Sequence, residues 1–405
     1  DNFGNKLIAT IADGATFEWN SNATGATSTR ATIISGAPTA SQLTLVSTPD
    51  RHLICFGTET TIGTTSTQDD MYIRWSSQES LTTWTPTSTN TAGTQRIADG
   101  TRIVGAIRGR DAIYVWTDTS LFIMRFVGPP FTFSFQQVGT NCGLIGQNAA
   151  VEVDGSAYWM SENGFFRYTG KLESLPCLVE DYVYDDLATV PKQHIYAGLN
   201  NLFGEVTWFY PGSGSSSNNR SVTYNYMDST EDRPVWTTST LARSTWSDSH
   251  IFGKPHATEY DDDATSDTTV GNTDGITIYY EHETGVNQIK AGTASAIAAN
   301  IQTGDFDLDH KGLDGDGEFI MKIRRILPDF LSQTGNAIVT LNLKNYPSDS
   351  QASSSLGPFT ATTSTTKIDT RARGRAVALK ISNDSIGQHW KLGTFRLDIQ
   401  PDGRR

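Results

Sequence analysis

The chain has 405 residues and a formal net charge of −13, length enough for two or three average domains or for one large β domain and a smaller one. An acidic surface of this size repels phosphate, which excludes ordinary sequence-reading DNA binding. No apolar run approaches the roughly 20 residues of a membrane-spanning helix, and 9 Trp, 14 Tyr and 18 Phe stand among Thr, Ser and Gly, a balance that favours strands and turns.

The sequence opens at Asp1-Asn2-Phe3 without Met, so a preceding segment is expected. Short apolar or aromatic alternations, punctuated by Gly, Asn, Asp, Ser or Thr, predict strands over 51–57, 70–75, 101–107, 111–116, 120–127, 155–160, 164–168, 193–199 and 203–210. Residues 77–85 read SQESLTTWT and resemble the Asp-box turn of sialidase-type propellers, S-x-D-x-G-x-T-W. They match at Ser77, Thr83 and Trp84, with Glu79 in place of the Asp and Leu81 in place of the Gly. Leu takes φ > 0 less cheaply than Gly, so the turn is expected to differ in detail. Helices are expected only over 180–187 and 294–301.

Two segments repeat. AIYVWTDTSLFIMR from Ala112 slides onto SAYWMSENGFFRYT from Ser156, placing Trp116 on Trp159 and Phe122 on Phe165 at an offset of 43 residues. A third piece, EVTWFYP, puts Trp208 a further 49 residues on. A period of this size with aromatic strand pairs fits a four-stranded propeller blade better than a plain run of sandwich hairpins. The aromatics are read as blade core in preference to a carbohydrate platform.

Residues 211–220 and 261–273 are long polar loops, and 255–289 hold eight acidic residues and no Lys or Arg. From about Gly304 the strands lengthen and alternate plainly, over 319–326, 337–344, 366–369, 376–381 and 390–399. The expected fold is all-β, with a β-propeller over 1–303 and a C-terminal β-sandwich over 304–405. Residues 367–405 carry nine Lys or Arg against four Asp or Glu. Arg371, Arg373 and Arg375 alternate there, so in an extended strand they share one face and are candidate subunit contacts.

The sequence shows little chemistry. Cys55, Cys142 and Cys177 form no C-x-x-C pair and read as free thilos of a reducing cytoplasm. Seven scattered His give no i, i+2 or i, i+4 pair. There is no nucleophile elbow, P-loop or dinucleotide fingerprint. Asp305-Phe306-Asp307-Leu308-Asp309 resembles the start of a calcium loop, but His310 stands where Gly belongs and Asp316 where Glu belongs. It is read as a solvated acidic loop. The expectation is no enzyme, no cofactor and no metal.

Several strings resemble the tail nozzle proteins (tail tubular protein B) of short-tailed bacteriophages. The longest run spans 84–148: WTPTSTNTAGTQRI, RIVGAIRGRDAIYVWTDTSLFIMRFVGPPFTF and QVGTNCGLIGQN. VEVDGSAYWMSENGFFRYTG follows, then LPC at 175–177, and IDTRARGRAVALKIS and WKLGTFRLDIQPDGRR near the end. The resemblance implies a structural virion protein, a homohexameric propeller ring below an adaptor, assembled in the host bacterial cytoplasm. Phage DNA would pass through without specific binding. Tail fibres and the host envelope are further partners it suggests. The C-terminal domain would then be the platform that makes the ring and adaptor contacts. Two rivals are a propeller glycosidase or depolymerase acting on host surface polysaccharide, whose catalytic carboxylates can lie far apart in the chain, and a receptor-binding tail module.

Overall fold

The structure, a computed structural model, describes residues 1–48, 50–189, 192–248, 252–261, 276–290, 292–309, 312–313, 319–346, 348–349 and 354–403. It divides into two compact units, Asp1–Glu283 and Thr284–Arg405.

The first unit is built from successive antiparallel meanders. Blade 2 runs Ser41–Val46, Leu53–Thr58, Tyr72–Trp75, Gly93–Arg96, and blade 3 runs Ile103–Arg108, Ile113–Thr117, Ser120–Gly128, Thr132–Thr140. Blade 4 runs Ala150–Val153, Ser156–Ser161, Gly164–Tyr168, Leu172–Leu175, and blade 5 runs Tyr196–Asn200, Glu205–Tyr210, Arg220–Asn225, Trp236–Ser239. Blade 1, from Asn2–Phe3 to Thr32–Ile33, has the same order, and blade 6 has three described strands, Thr245–Ser247, His256–Asp261 and Ile276–Glu281. The first strands of blades 2 to 6 lie side by side in sequence order, and a parallel bridge joins Asn148 to Tyr196. Sheets that follow one another around adjacent inner strands make a β-propeller.

Burial explains why these sequences suit blades. The second strands Leu53–Thr58, Ile113–Thr117 and Ser156–Ser161 are buried at nearly every position. A middle strand of a blade is covered on both faces by its neighbours, so LICF, IYVW and AYWM are apolar without alternation. Trp116, Trp159 and Trp208 all sit on second strands, of blades 3, 4 and 5, and each is fully buried. Trp116 meets Trp159 edge-on at 5.3 Å, and Phe165 of blade 4 meets Trp208 of blade 5 at 4.9 Å. The self-match in the sequence is thus a match of blade positions, and these aromatics are core.

The segment linking blades 3 and 4 explains two glycines of the string NCGLIGQN. A Cβ on Gly143 would lie 2.1 Å from the Asp118 carbonyl oxygen, and one on Gly146 2.4 Å from that of Lys192. The Asp-box-like turn closes with the Ser77 N–H donating to the Thr83 carbonyl at 2.8 Å, and Trp84 is buried with Leu81 beside Leu53. The left-handed residue is Glu79, φ 57°, and not Leu81. Glu79 is held by its N–H donating to the Arg51 carbonyl and by an ion pair with Arg51 at 3.2 Å.

The second unit packs two sheets face to face. Ala337–Lys344 and Ala376–Asn383 are central in one, and Met321–Leu327 lies between Ile368–Gly374 and Arg396–Pro401 in the other. Met321, Ile323, Val339, Leu341, Val377 and Ile381 form the core between them. This is the expected sandwich, but its unit starts at Thr284, not at 304. The expected helix over 294–301 is instead Thr293–Ala296 and Ala299–Gln302, two strands, the second paired with Ala376–Asn383. That pairing takes the segment into the second unit, overriding the helix propensity of its alanines. The helix expected over 180–187 is present as Glu180–Asp186.

Candidate functional site

The inner strands of blades 2 to 5 line an open axial cavity of about 610 Å³. Each contributes a short stretch: Leu43 to Leu45, Ala106 to Arg108, Ala150, and Tyr196 with Ala197. Gln147 and Asn148, on the link between blades 3 and 4, complete the polar wall. Asn148 is fixed by its carbonyl, which accepts the Ala197 N–H at 2.7 Å.

One carboxylate lies among the described lining residues, that of Asp1. It pairs with Arg108 at 3.1 Å and accepts the Val46 N–H at 2.9 Å. The wall therefore offers Arg108 and amides for hydrogen bonding, while the Tyr196 hydroxyl donates to the Trp246 carbonyl at 3.3 Å and the single carboxylate is already engaged. General acid and base catalysis of glycoside cleavage uses two carboxyl groups about 5–9.5 Å apart. The described lining does not supply that pair.

Beside it, a smaller cavity of about 200 Å³ is lined by Asp50, Arg108, Arg110, Asp111, Phe126 and Phe133. Asp50 belongs to a relay. His52 Nδ1 lies 2.8 Å from Asp50 Oδ2, and His52 Nε2 lies 3.0 Å from Thr91 Oγ1. Burial pushes the Asp50 carboxyl up, but hydrogen bonds from His52 and Ser47 outweigh it and hold the pKa below its ordinary value. The order carboxylate, imidazole, hydroxyl is that of an activated nucleophile. Here, however, Thr91 Oγ1 also accepts the Gln78 N–H at 2.8 Å, and the imidazole is fully buried. With both imidazole nitrogens and the Thr91 hydroxyl engaged, the relay ties blade 2 to the Asp-box-like turn.

Arg371 and Arg373 lie exposed on Ile368–Gly374, between inward-facing Thr370, Ala372 and Gly374. Arg373 pairs with Asp402 at 2.7 Å. Arg375 follows the strand, and its N–H donates to the Lys344 carbonyl at 2.8 Å. The alternation thus puts the first two on one face of the second unit. Asp305 pairs with Lys344 at 2.6 Å, and Phe306–Asp309 is a strand. No group of three metal-ligating side chains occurs among the described residues. His310, Asp316 and most of the acidic loop 261–273 lie outside them. The three thiols are unpaired, and burial pushes Cys55 up to about 12, Cys142 to about 11 and Cys177 to about 12.

Sequence reasoning did not single out Arg108, Asn148 or Tyr196 as cavity residues. They come from separate blades, and no spacing along the chain announces a wall assembled around an axis.

No family model matches the chain, and no curated protein matches it. Among solved structures it is similar to apo AztD from Citrobacter koseri, at 9% identity over 59% of this chain and 74% of that one, TM-score 0.31. A glycoside hydrolase matches at 11% identity over 88% and 96%, TM-score 0.25. An exo-beta-1,3-galactanase from Phanerochaete chrysosporium, with galactose, matches at 11% identity over 98% and 99%, TM-score 0.28. Such values carry nothing about substrate or site. One expectation is corrected. The exclusion of an enzyme is withdrawn, because it rested on the want of local motifs, and a propeller site assembled from several blades needs none.

Proposed function

We propose that the chain is a structural subunit of the tail nozzle of a short-tailed bacteriophage, working as a homohexameric ring below the adaptor. The string resemblance supports this reading, and one observation carries it furthest. The string RFVGPPFTF forms the tip of the hairpin between Ser120–Gly128 and Thr132–Thr140. Phe126, Val127 and Phe131 are exposed there, Phe131 at 76%, while Phe133 two residues on is buried. Folding of the blade does not need apolar side chains on its tip, whereas a subunit contact does. The outward Arg371 and Arg373 are a second proposed contact, in the C-terminal platform, where they would pair with acidic residues of a neighbouring subunit. The ring lumen would be acidic or neutral, since each phosphate contact on a basic wall binds DNA and slows its passage.

A second reading is a propeller glycosidase acting on host surface polysaccharide. It rests on the polar axial cavity, although its catalytic carboxylate pair would have to come from outside the described lining. Electron microscopy of the purified protein, together with a reducing-sugar assay on host polysaccharide, separates the two. Sixfold rings that the Phe131→Ser variant fails to form are the expected result. Monomers that release sugar overturn the nozzle in favour of the glycosidase.

A further inference from the structure

Charge is divided unequally between the two units. Residues 1–283 carry 16 Lys or Arg against 32 Asp or Glu, and residues 284–405 carry 15 against 12. The cations of the second unit gather on one sheet. Its strands Met321–Leu327, Ile368–Gly374 and Arg396–Pro401 hold six Lys or Arg and two Asp, none of them buried. Ile323, Ala372 and Ile399 stand in register and face the core, so Lys322, Arg373 and Gln400 beside them face away from it. The ladder slips at Arg324, which falls level with Thr370 and Arg371, between the pairs Ile323–Ala372 and Arg325–Asp369. Arg325 is paired with Asp369 at 3.0 Å and Arg373 with Asp402 at 2.7 Å. Lys322, Arg324, Arg371 and Arg396 form no ion pair among the described residues. Like charges side by side on a sheet oppose folding, and an anionic partner would offset that.

A matching surface lies on the first unit. Residues 172–191 hold five Asp or Glu and no Lys or Arg. Glu173 and Asp186 are taken up by Arg167 and Arg220. Asp181 and Asp185 stand four apart on the helix Glu180–Asp186, so they share a side. Both are exposed and form no ion pair among the described residues. Tyr182 between them is 56% exposed and nearby Leu178 79%, while Val183 is the helix's one buried residue. Folding does not need an exposed Tyr and Leu amid carboxylates, whereas guanidinium groups pair with the carboxylates and stack on the ring. The carboxylate excess of the first unit repels nucleic acid and attracts a basic face. We infer that the sheet face bearing Arg324 and Arg371 docks on the Glu180–Asp186 helix of a second copy of this chain, its arginines pairing with Asp181 and Asp185 and stacking on Tyr182. The two patches differ, so the contact is head-to-tail and either closes into a ring or runs on as a filament. It deepens the ring proposed above and rests on that reading for sixfold closure alone.

The test is sedimentation velocity and electron microscopy on the whole chain and on two charge-reversed variants. One carries Arg324→Glu with Arg371→Glu, the other Asp181→Lys with Asp185→Lys. All four positions are exposed, so melting temperatures should stay near that of the wild type. Each variant alone sets like charges against one another, and its self-association should weaken about tenfold or more. Mixed in equal amounts, the two bring opposite charges together at every contact, and association should return to within about threefold of the wild type. A variant that has merely lost stability is not rescued by mixing. Unweakened assembly of either variant, or no recovery on mixing, overturns the contact. Sixfold rings indifferent to both reversals remove this contact and leave the ring. Charge-sensitive filaments or short oligomers keep the contact and remove the ring. A wild-type chain that stays monomeric removes both. A DNA duplex bound by the wild type and released by the Arg324→Glu, Arg371→Glu variant assigns the face to nucleic acid and also overturns the contact.

Discussion

The two units solve the same problem, burying strands, in different ways, and their sequences differ accordingly. In the propeller the second strand of a blade is covered on both faces, and Ile113–Thr117 is buried throughout. In the C-terminal unit each sheet has one covered face, and Ala337–Lys344 begins with plain alternation of buried and half-buried positions. The fillings differ too. Trp116, Trp159 and Trp208 bridge neighbouring blades, whereas the sandwich core around Ile323, Val339, Leu341 and Val377 is aliphatic. Flat, wide indoles fill the space between diverging blades. Branched aliphatics suit two sheets at a nearly constant separation.

That contrast makes unequal predictions for truncation. Trp159→Ala should destabilise the propeller by about 3–5 kcal/mol, the range for a buried aromatic cut to Ala. Leu341→Ala should cost about 2–5 kcal/mol in the sandwich. Hydrogen exchange read separately over 1–283 and 284–405 should show each loss in its own unit. Loss of protection in both units from Trp159→Ala would mean that the two do not behave as separate cores.

Backbone closeness sharpens the comparison further. Gly143→Ala drives a methyl into the Asp118 carbonyl, which backbone cannot easily yield, and should cost about 2–3 kcal/mol by denaturant titration. An Ala at Gly304, where a Cβ meets nothing within 4 Å, should change stability by no more than about 0.5 kcal/mol.

Acid should act first on the propeller. His282 is pushed down to about 4 by burial, with Arg243 and His256 adding to the effect. Its Nε2 accepts from Arg243 Nε at 2.9 Å, which requires the neutral ring. The folded pKa lies below the ordinary 6.5, so the unfolded chain takes the proton first. This group's contribution is complete above about pH 6.5 and is lost as pH falls toward 4, an effect on the order of 1–2 kcal/mol after allowing for partial exposure. Thermal melts of the His282→Gln variant should lose less stability over that window than the wild type. Equal slopes would remove His282 from the account.

The smallest effect is expected at Arg373. Its pair with Asp402 is solvent-exposed, so Arg373→Ala should cost the isolated chain about 0–1 kcal/mol. If the outward arginines join subunits, the same variant together with Arg371→Ala should lower the fraction of rings while leaving the melting temperature nearly unchanged. Undiminished ring assembly would remove them as contacts.

By itself the sequence determined the most apolar strands of blades 2 to 5, the all-β class and the equivalence of Trp116, Trp159 and Trp208, because periodicity and aromatic spacing are local and repeat along the chain. It also marked Gly143 and Gly146 as part of a distinctive string, without showing why. Only the tertiary structure gave the reason, the carbonyls of Asp118 and Lys192 pressed against them. Tertiary pairing likewise turned 294–301 from helix to strand and moved the unit boundary to 283, because Ala376–Asn383 offered Ala299–Gln302 a ladder that no local signal reveals. The cavities were decided at the same level. Arg108, Asn148 and Tyr196 come together around an axis, and Arg324 comes level with Arg371 only when Met321–Leu327 and Ile368–Gly374 pair.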